Sequence, residues 1–151
     1  MVKRAIVVLA LGLAACGEDG PKDYLKIAGG GLTFNYRYSQ ATMVVVGKQV
    51  SPLPEGATVT ALFDIPGKTE RERVERPAMA GKLNYKLESS YLSGIKKGVP
   101  LKVTLLLVGK DGKELDRDET QYTSDVDQDQ LPSSPLVDPS KPNYVPQLEN
   151  L

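Results

Sequence analysis

The sequence predicts an all-β protein, a two-sheet immunoglobulin-like or transthyretin-like sandwich of about seven strands with an extended Pro-rich C-terminal tail. Short runs of alternating apolar and polar residues recur along the chain. Turn signals fall between them every ~8–12 residues, the spacing of a sandwich. After residue 16 no segment holds a helical period for two turns.

The strands follow in order. Tyr24 to Ala28 is a short first strand, and Gly29-Gly30-Gly31 breaks it, marking positive φ or a close backbone approach. Leu32 to Tyr38 has the clearest period of two, with Leu32, Phe34, Tyr36 and Tyr38 on one face. Ser39-Gln40 is a break or bulge before the β-branched run Ala41 to Val50. Pro52 to Gly56 is a crossing loop, and Thr58 to Asp64 alternates again. Lys68 to Arg76 mixes charge signs closely and reads as an exposed edge strand, with a partner-facing charged strip as the alternative. Leu83, Tyr85 and Leu87 mark the next strand. In the Ser89–Gly98 connection, Tyr91 is the candidate for a corner tyrosine.

Leu101 to Val108 is the strongest core strand, although Leu106 and Val108 put apolar surface on its second face. Asp111-Gly112 suits the primed hairpin turns that match strand twist. Glu114 to Thr123 returns as a polar edge. From Ser124 the prolines at 132, 135, 139, 142 and 146 exclude helix and central strand. The tail's Leu131, Leu136, Val137, Tyr144, Val145, Leu148 and Leu151 are too apolar for a spacer and are expected to cover the face near Leu106 and Val108.

The N-terminus has a different grammar. Lys3 and Arg4 precede the apolar run Ala5 to Leu13, and small residues close it. That is the layout of a secretory signal, and the run is well short of the ~20 residues of a membrane span. Leu13-Ala14-Ala15-Cys16 resembles the lipobox of bacterial lipoproteins. The resemblance implies diacylglyceryl transfer to the Cys16 thiol, cleavage between Ala15 and Cys16, and an acyl chain such as palmitate on the new amine. It also implies that Gly17, standing where Asp retains enteric lipoproteins in the inner membrane, sends the protein to the outer membrane. Cys16 is the only cysteine, so no disulfide competes for its thiol. The expected divisions are residues 1–15 signal peptide (removed), 16–23 lipidated tether, 24–123 sandwich and 124–151 tail.

The whole chain balances 19 basic against 19 acidic residues, and removing Lys3 and Arg4 leaves 17 against 19. A nucleic-acid binder should show a basic excess instead. There is no His, the commonest general base and metal ligand. No G-x-S-x-G elbow is present, and the Gly29–Gly31 run has neither the helix nor the Lys of a phosphate loop. Asp125, Asp127 and Asp129 have the opening spacing of a calcium loop, but Gln130 and Leu136 stand where an EF-hand needs Gly and Glu. A solvated turn is the plainer reading of that triplet, with a loose calcium site as the alternative. Lys96-Lys97, with Lys102 and Lys110, reads as exposed loop lysines, or as a contact with anionic headgroups.

From Leu53–Thr60 through Leu83–Leu87 to Gly98–Val108 and the Asp111-Gly112 hairpin, the chain resembles the YscW/YbaY type of envelope lipoprotein. These are small β-sandwiches, some of them pilotins for secretin subunits. The Leu32–Tyr38 strand and the Thr123–Gln128 segment are also similar to those of uncharacterised alphaproteobacterial lipoproteins. The expected protein is a lipid-anchored, periplasm-facing envelope module that binds or assembles other proteins and catalyses nothing. Its expected partners are the membrane, through lipid on Cys16, and an envelope protein met by an exposed strand edge or by the tail. No nucleic acid, metal or cofactor is implied. A pilotin-like chaperone of a secretion or secretin complex, and a cryptic ion-binding protein or enzyme, are the alternatives.

Overall fold

Leu101–Val108 sits near the middle of the molecule, as its composition requires: Val103, Leu105 and Leu107 face the core and are fully buried. The computed structural model describes residues 22–137. The seven strands are β1 (Leu25–Asn35), β2 (Gln40–Gln49), β3 (Thr58–Asp64), β4 (Arg71–Pro77), β5 (Asn84–Glu88), β6 (Leu101–Val108) and β7 (Glu114–Tyr122). They form two antiparallel sheets, a three-stranded one in the order β1-β2-β5 and a four-stranded one in the order β4-β3-β6-β7. The sandwich is therefore of the immunoglobulin-like kind, with its fourth strand on the larger sheet.

The period-two pattern accounts for the core. Ala41, Met43 and Val45 of β2 and Tyr85 and Leu87 of β5 point inward from one sheet. Val59, Ala61 and Phe63 of β3 meet them from the other. Burying each large side chain contributes ~1.5–3 kcal/mol. A short 3-10 turn at Gln128–Gln130 is the only helical element among the described residues.

Strand direction alternates, so the loops sort into two ends. The approach to β1, the 50–57 loop, the 78–83 loop and the 109–113 hairpin share one. The Tyr24 carbonyl accepts the Val50 N–H at 2.8 Å, Gln49 N–H donates to the Leu83 carbonyl at 2.8 Å, and Ala78 N–H donates to the Ala57 carbonyl at 2.9 Å. The 36–39 turn, the 65–70 and 89–100 loops and the segment after β7 share the other.

Four local expectations need correction. Gly29-Gly30-Gly31 does not end a strand. β1 runs through it, with an irregularity in register between Ile27 and Gly29. The glycines serve close approach: a Cβ on Gly30 (φ 137°) would overlap the Val44 carbonyl and lie 2.5 Å from the Tyr122 hydroxyl. Tyr36 and Tyr38 lie in the turn after β1, not on the strand face with Leu32 and Phe34. Tyr91 is 68% exposed and packs no corner. Tyr85 is the buried tyrosine, and its hydroxyl accepts the Met79 N–H at 3.0 Å, holding the 78–83 loop down.

The fourth concerns the tail. Residues 124–137 cross the end away from Tyr24. Gln128 N–H donates to the Ile95 carbonyl at 2.9 Å, Leu136 N–H donates to the Arg37 carbonyl at 2.8 Å, and Leu131 and Val137 are buried. Leu106 is buried and stands in register between Thr60 of β3 and Arg117 of β7. Residues 138–151 lie outside the described residues, and so does the remainder of the tail prediction.

The outer face of the four-stranded sheet is held by charge. Lys102 Nζ lies 2.7 Å from Glu119 Oε2, the buried Thr104 hydroxyl donates to Glu119 Oε1 at 3.0 Å, and Arg117 Nη1 lies 3.1 Å from the same oxygen. These groups, Lys102 foremost, hold the Glu119 carboxyl down to about 2. The unfolded chain takes up this proton near the ordinary pKa of ~4.3. Glu119 thus stabilises the fold above that value, and the stabilisation is lost as pH falls toward 2. A series of thermal melts should show Tm dropping across this window, and Glu119→Gln should flatten the drop. Equal slopes in the two proteins would contradict the assignment.

Candidate functional site

Cys16 and Ala15, the predicted lipid-attachment and cleavage residues, lie outside the described residues. Seven residues, 17–23, lie between Cys16 and Tyr24, where the chain joins the sandwich.

Two aspartates fix that junction. Asp116 Oδ2 accepts the N–H groups of Tyr24 and Leu25 at 2.6 and 2.8 Å, and Asp118 Oδ2 accepts that of Ile27 at 2.8 Å. Tyr122, further along β7, donates its hydroxyl to the Gly29 carbonyl at 3.1 Å. β1 and β7 belong to different sheets, so no backbone ladder joins them. Side chains of β7 satisfy the outer edge of β1 instead, and charge-assisted bonds of this kind are the stronger ones. Within the strand that reads as a polar edge, Asp116 and Asp118 thus form a latch. Residue parity was the available signal. Tyr122, packed against the core, shares its face with Asp116 and Asp118, while Leu115 is on the other and is exposed.

The end where the chain joins carries a shallow concavity of about 570 Å³, lined by Leu53, Pro54, Gly56, Ala78, Met79 and Gly81. Val50, Met79 and Leu83 are exposed around it by 49%, 57% and 60%. Lys110 packs its stem over Gly56, and Lys82 Nζ lies 5.2 Å from the Tyr85 ring centroid. Sequence reading missed this patch because its residues come from separate loops.

The acidic triplet is distributed. Asp127 Oδ1 accepts the Lys97 N–H at 2.8 Å, Asp129 pairs with Lys96 at 3.2 Å, and Asp125 is exposed. No group of three His, Cys, Asp or Glu side chains able to hold a metal occurs among the described residues. Glu88 and Glu114 are also shifted downward, by Lys86 and Arg117 respectively, as surface ion pairs are. The lysines that read as one group fall apart: Lys110 is at the β1-start end, and Lys96, Lys97 and Lys102 are at the opposite one.

No family model and no curated protein matches the chain. Among solved structures it is similar to catalytically inactive OgpA from Akkermansia muciniphila, solved with an O-glycopeptide substrate, glycodrosocin. Identity is 14% and the TM-score 0.37, over 73% of this chain and 30% of that one. A likeness of this size carries no argument about activity, and the chain spans less than a third of that protein.

Proposed function

We propose that the protein is a lipid-anchored, periplasm-facing module of the bacterial envelope that binds or assembles other proteins without catalysis. The carrying observation is Leu13-Ala14-Ala15-Cys16 after a basic and then apolar leader. Each buried CH₂ of an attached lipid contributes ~0.8 kcal/mol, so two or three acyl chains make a lasting anchor. Anchoring raises the effective concentration of the sandwich for a partner in the same membrane.

The sandwich supports one contact route over another. The β7 edge lies against β1, and a strand added there has to displace the Asp116 and Asp118 contacts. The end bearing residues 124–137 has no such conflict and leads into the apolar remainder of the tail.

Labelled palmitate tests the anchor. The wild-type chain is expected to incorporate it and to stay with membranes after a high-salt wash. Cys16→Ala is expected to lose the label and most of the membrane-bound fraction. Equal labelling of both proteins would defeat the reading. The partner-binding half is tested by recovering crosslinked envelope proteins with and without residues 138–151. The cut belongs after Val137, because an earlier one removes the buried Leu131 and Val137.

A further inference from the structure

The end of the sandwich where β1 begins combines three features found together nowhere else among the described residues. It lies beside the tether, it exposes aliphatic side chains, and three of its lysines, Lys48, Lys82 and Lys110, lack carboxylate partners while Lys26 and Lys113 have them. The Tyr24 carbonyl is bonded to Val50 N–H, so the tether joins the domain directly beside the exposed Val50. From Cys16 to Tyr24 the chain spans at most ~29 Å when fully extended. β1 is 11 residues long, about 36 Å. A lipid on Cys16 therefore keeps this end within a tether's length of the bilayer, while the opposite end stands a strand's length further from the junction.

We propose that this end rests on the membrane surface, with Val50, Met79 and Leu83 at the boundary between headgroups and acyl chains and Lys48, Lys82 and Lys110 at anionic headgroups. The proposal rests on the lipid-anchor reading and deepens it by assigning the face that meets the bilayer. Exposed aliphatic residues ringed by lysines suit that boundary, since long lysine stems cover apolar surface while their ammonium groups reach the phosphates. Among the described residues no carboxylate pairs with these three lysines; at the other end Lys96 and Lys102 are tied to Asp129 and Glu119, while Lys68 and Lys97 are also without a carboxylate. It is therefore the tether beside Val50 that separates the two ends. The acidic side chains at the bilayer-facing end are Asp23, Glu55, Asp111, Glu114 and Asp116, the last bonded to the Tyr24 and Leu25 N–H groups. Asp23, Asp111 and Glu114 are already engaged with Lys26, Lys113 and Arg117.

The chain has no Trp, so one introduced Trp reports alone. Leu83→Trp and, at the opposite end, Tyr91→Trp are placed in the full chain. Each lipidated protein is purified from membranes and reconstituted into vesicles of phosphatidylethanolamine and phosphatidylglycerol, some of it brominated high on the acyl chains. Bromolipid should quench Leu83→Trp several-fold more than Tyr91→Trp. Replacing phosphatidylglycerol with phosphatidylcholine should weaken that quenching. Equal quenching of the two variants, with palmitate still incorporated, would overturn the proposal and leave the anchor standing. Absence of palmitate would overturn both. A blue shift of Leu83→Trp without quenching would mean that a second copy of the chain covers the patch, and would overturn the proposal as well. Quenching indifferent to phosphatidylglycerol would remove the lysines from it.

Discussion

Gly30→Ala is expected to cost about 3 kcal/mol or more, or to prevent folding altogether. The added Cβ has nowhere to go. It meets the Val44 carbonyl within the β1–β2 pairing and the Tyr122 hydroxyl arriving from the other sheet, at a φ of 137°. Relieving either clash moves β1 away from β2 or from β7, and the glycine carries both contacts. Gly29→Ala is the control, since nothing lies within 4 Å of its added Cβ. It should change stability by less than about 1 kcal/mol. Urea denaturation midpoints separate the two, and similar losses from both substitutions would show that the glycine run is merely flexible.

Asp116→Ala is expected to remove about 2–3 kcal/mol, because the carboxylate satisfies two part-buried backbone donors at once. Asp116→Asn keeps an acceptor without the charge and should lose less. Adding Asp118→Ala should cost less than its separate effect, since both residues hold the same strand and it detaches only once. Hydrogen exchange gives the local test. The amides of Tyr24, Leu25 and Ile27 should lose protection in Asp116→Ala while those of β6 keep most of theirs. Uniform loss across the sandwich would argue against a latch confined to β1.

The sandwich was legible in the sequence wherever side-chain alternation reports burial directly. β2, β3, β5 and β6 lie where Ala41–Val50, Thr58–Asp64, Leu83–Leu87 and Leu101–Val108 predict them, within a residue or two. What could not be read depended on groups distant in the chain. A glycine run looks like a break unless one knows that Tyr122 comes to rest over it. Asp116 and Asp118 look solvated because a carboxylate facing β1 has the same spelling as one facing water. The prolines after residue 124 rule out helix and ladder, yet they do not prevent packing, so Leu131 and Val137 are buried in a segment without regular structure beyond one short turn. Val50, Met79 and Leu83 belong to two loops, and only the alternation of strand direction gathers them at one end.

The latch between β1 and β7 has a consequence for timing. Its donors and acceptors are 91 and 92 residues apart. A chain made from its N-terminus emerges with β1 first. β1 can pair with β2 early, but three N–H groups on its outer edge have no acceptors until β7 has followed. An open edge is a template for pairing with another chain. The segment nearest Cys16 is thus the last to be closed, and throughout that interval the newly made protein is at its most exposed to the wrong neighbour.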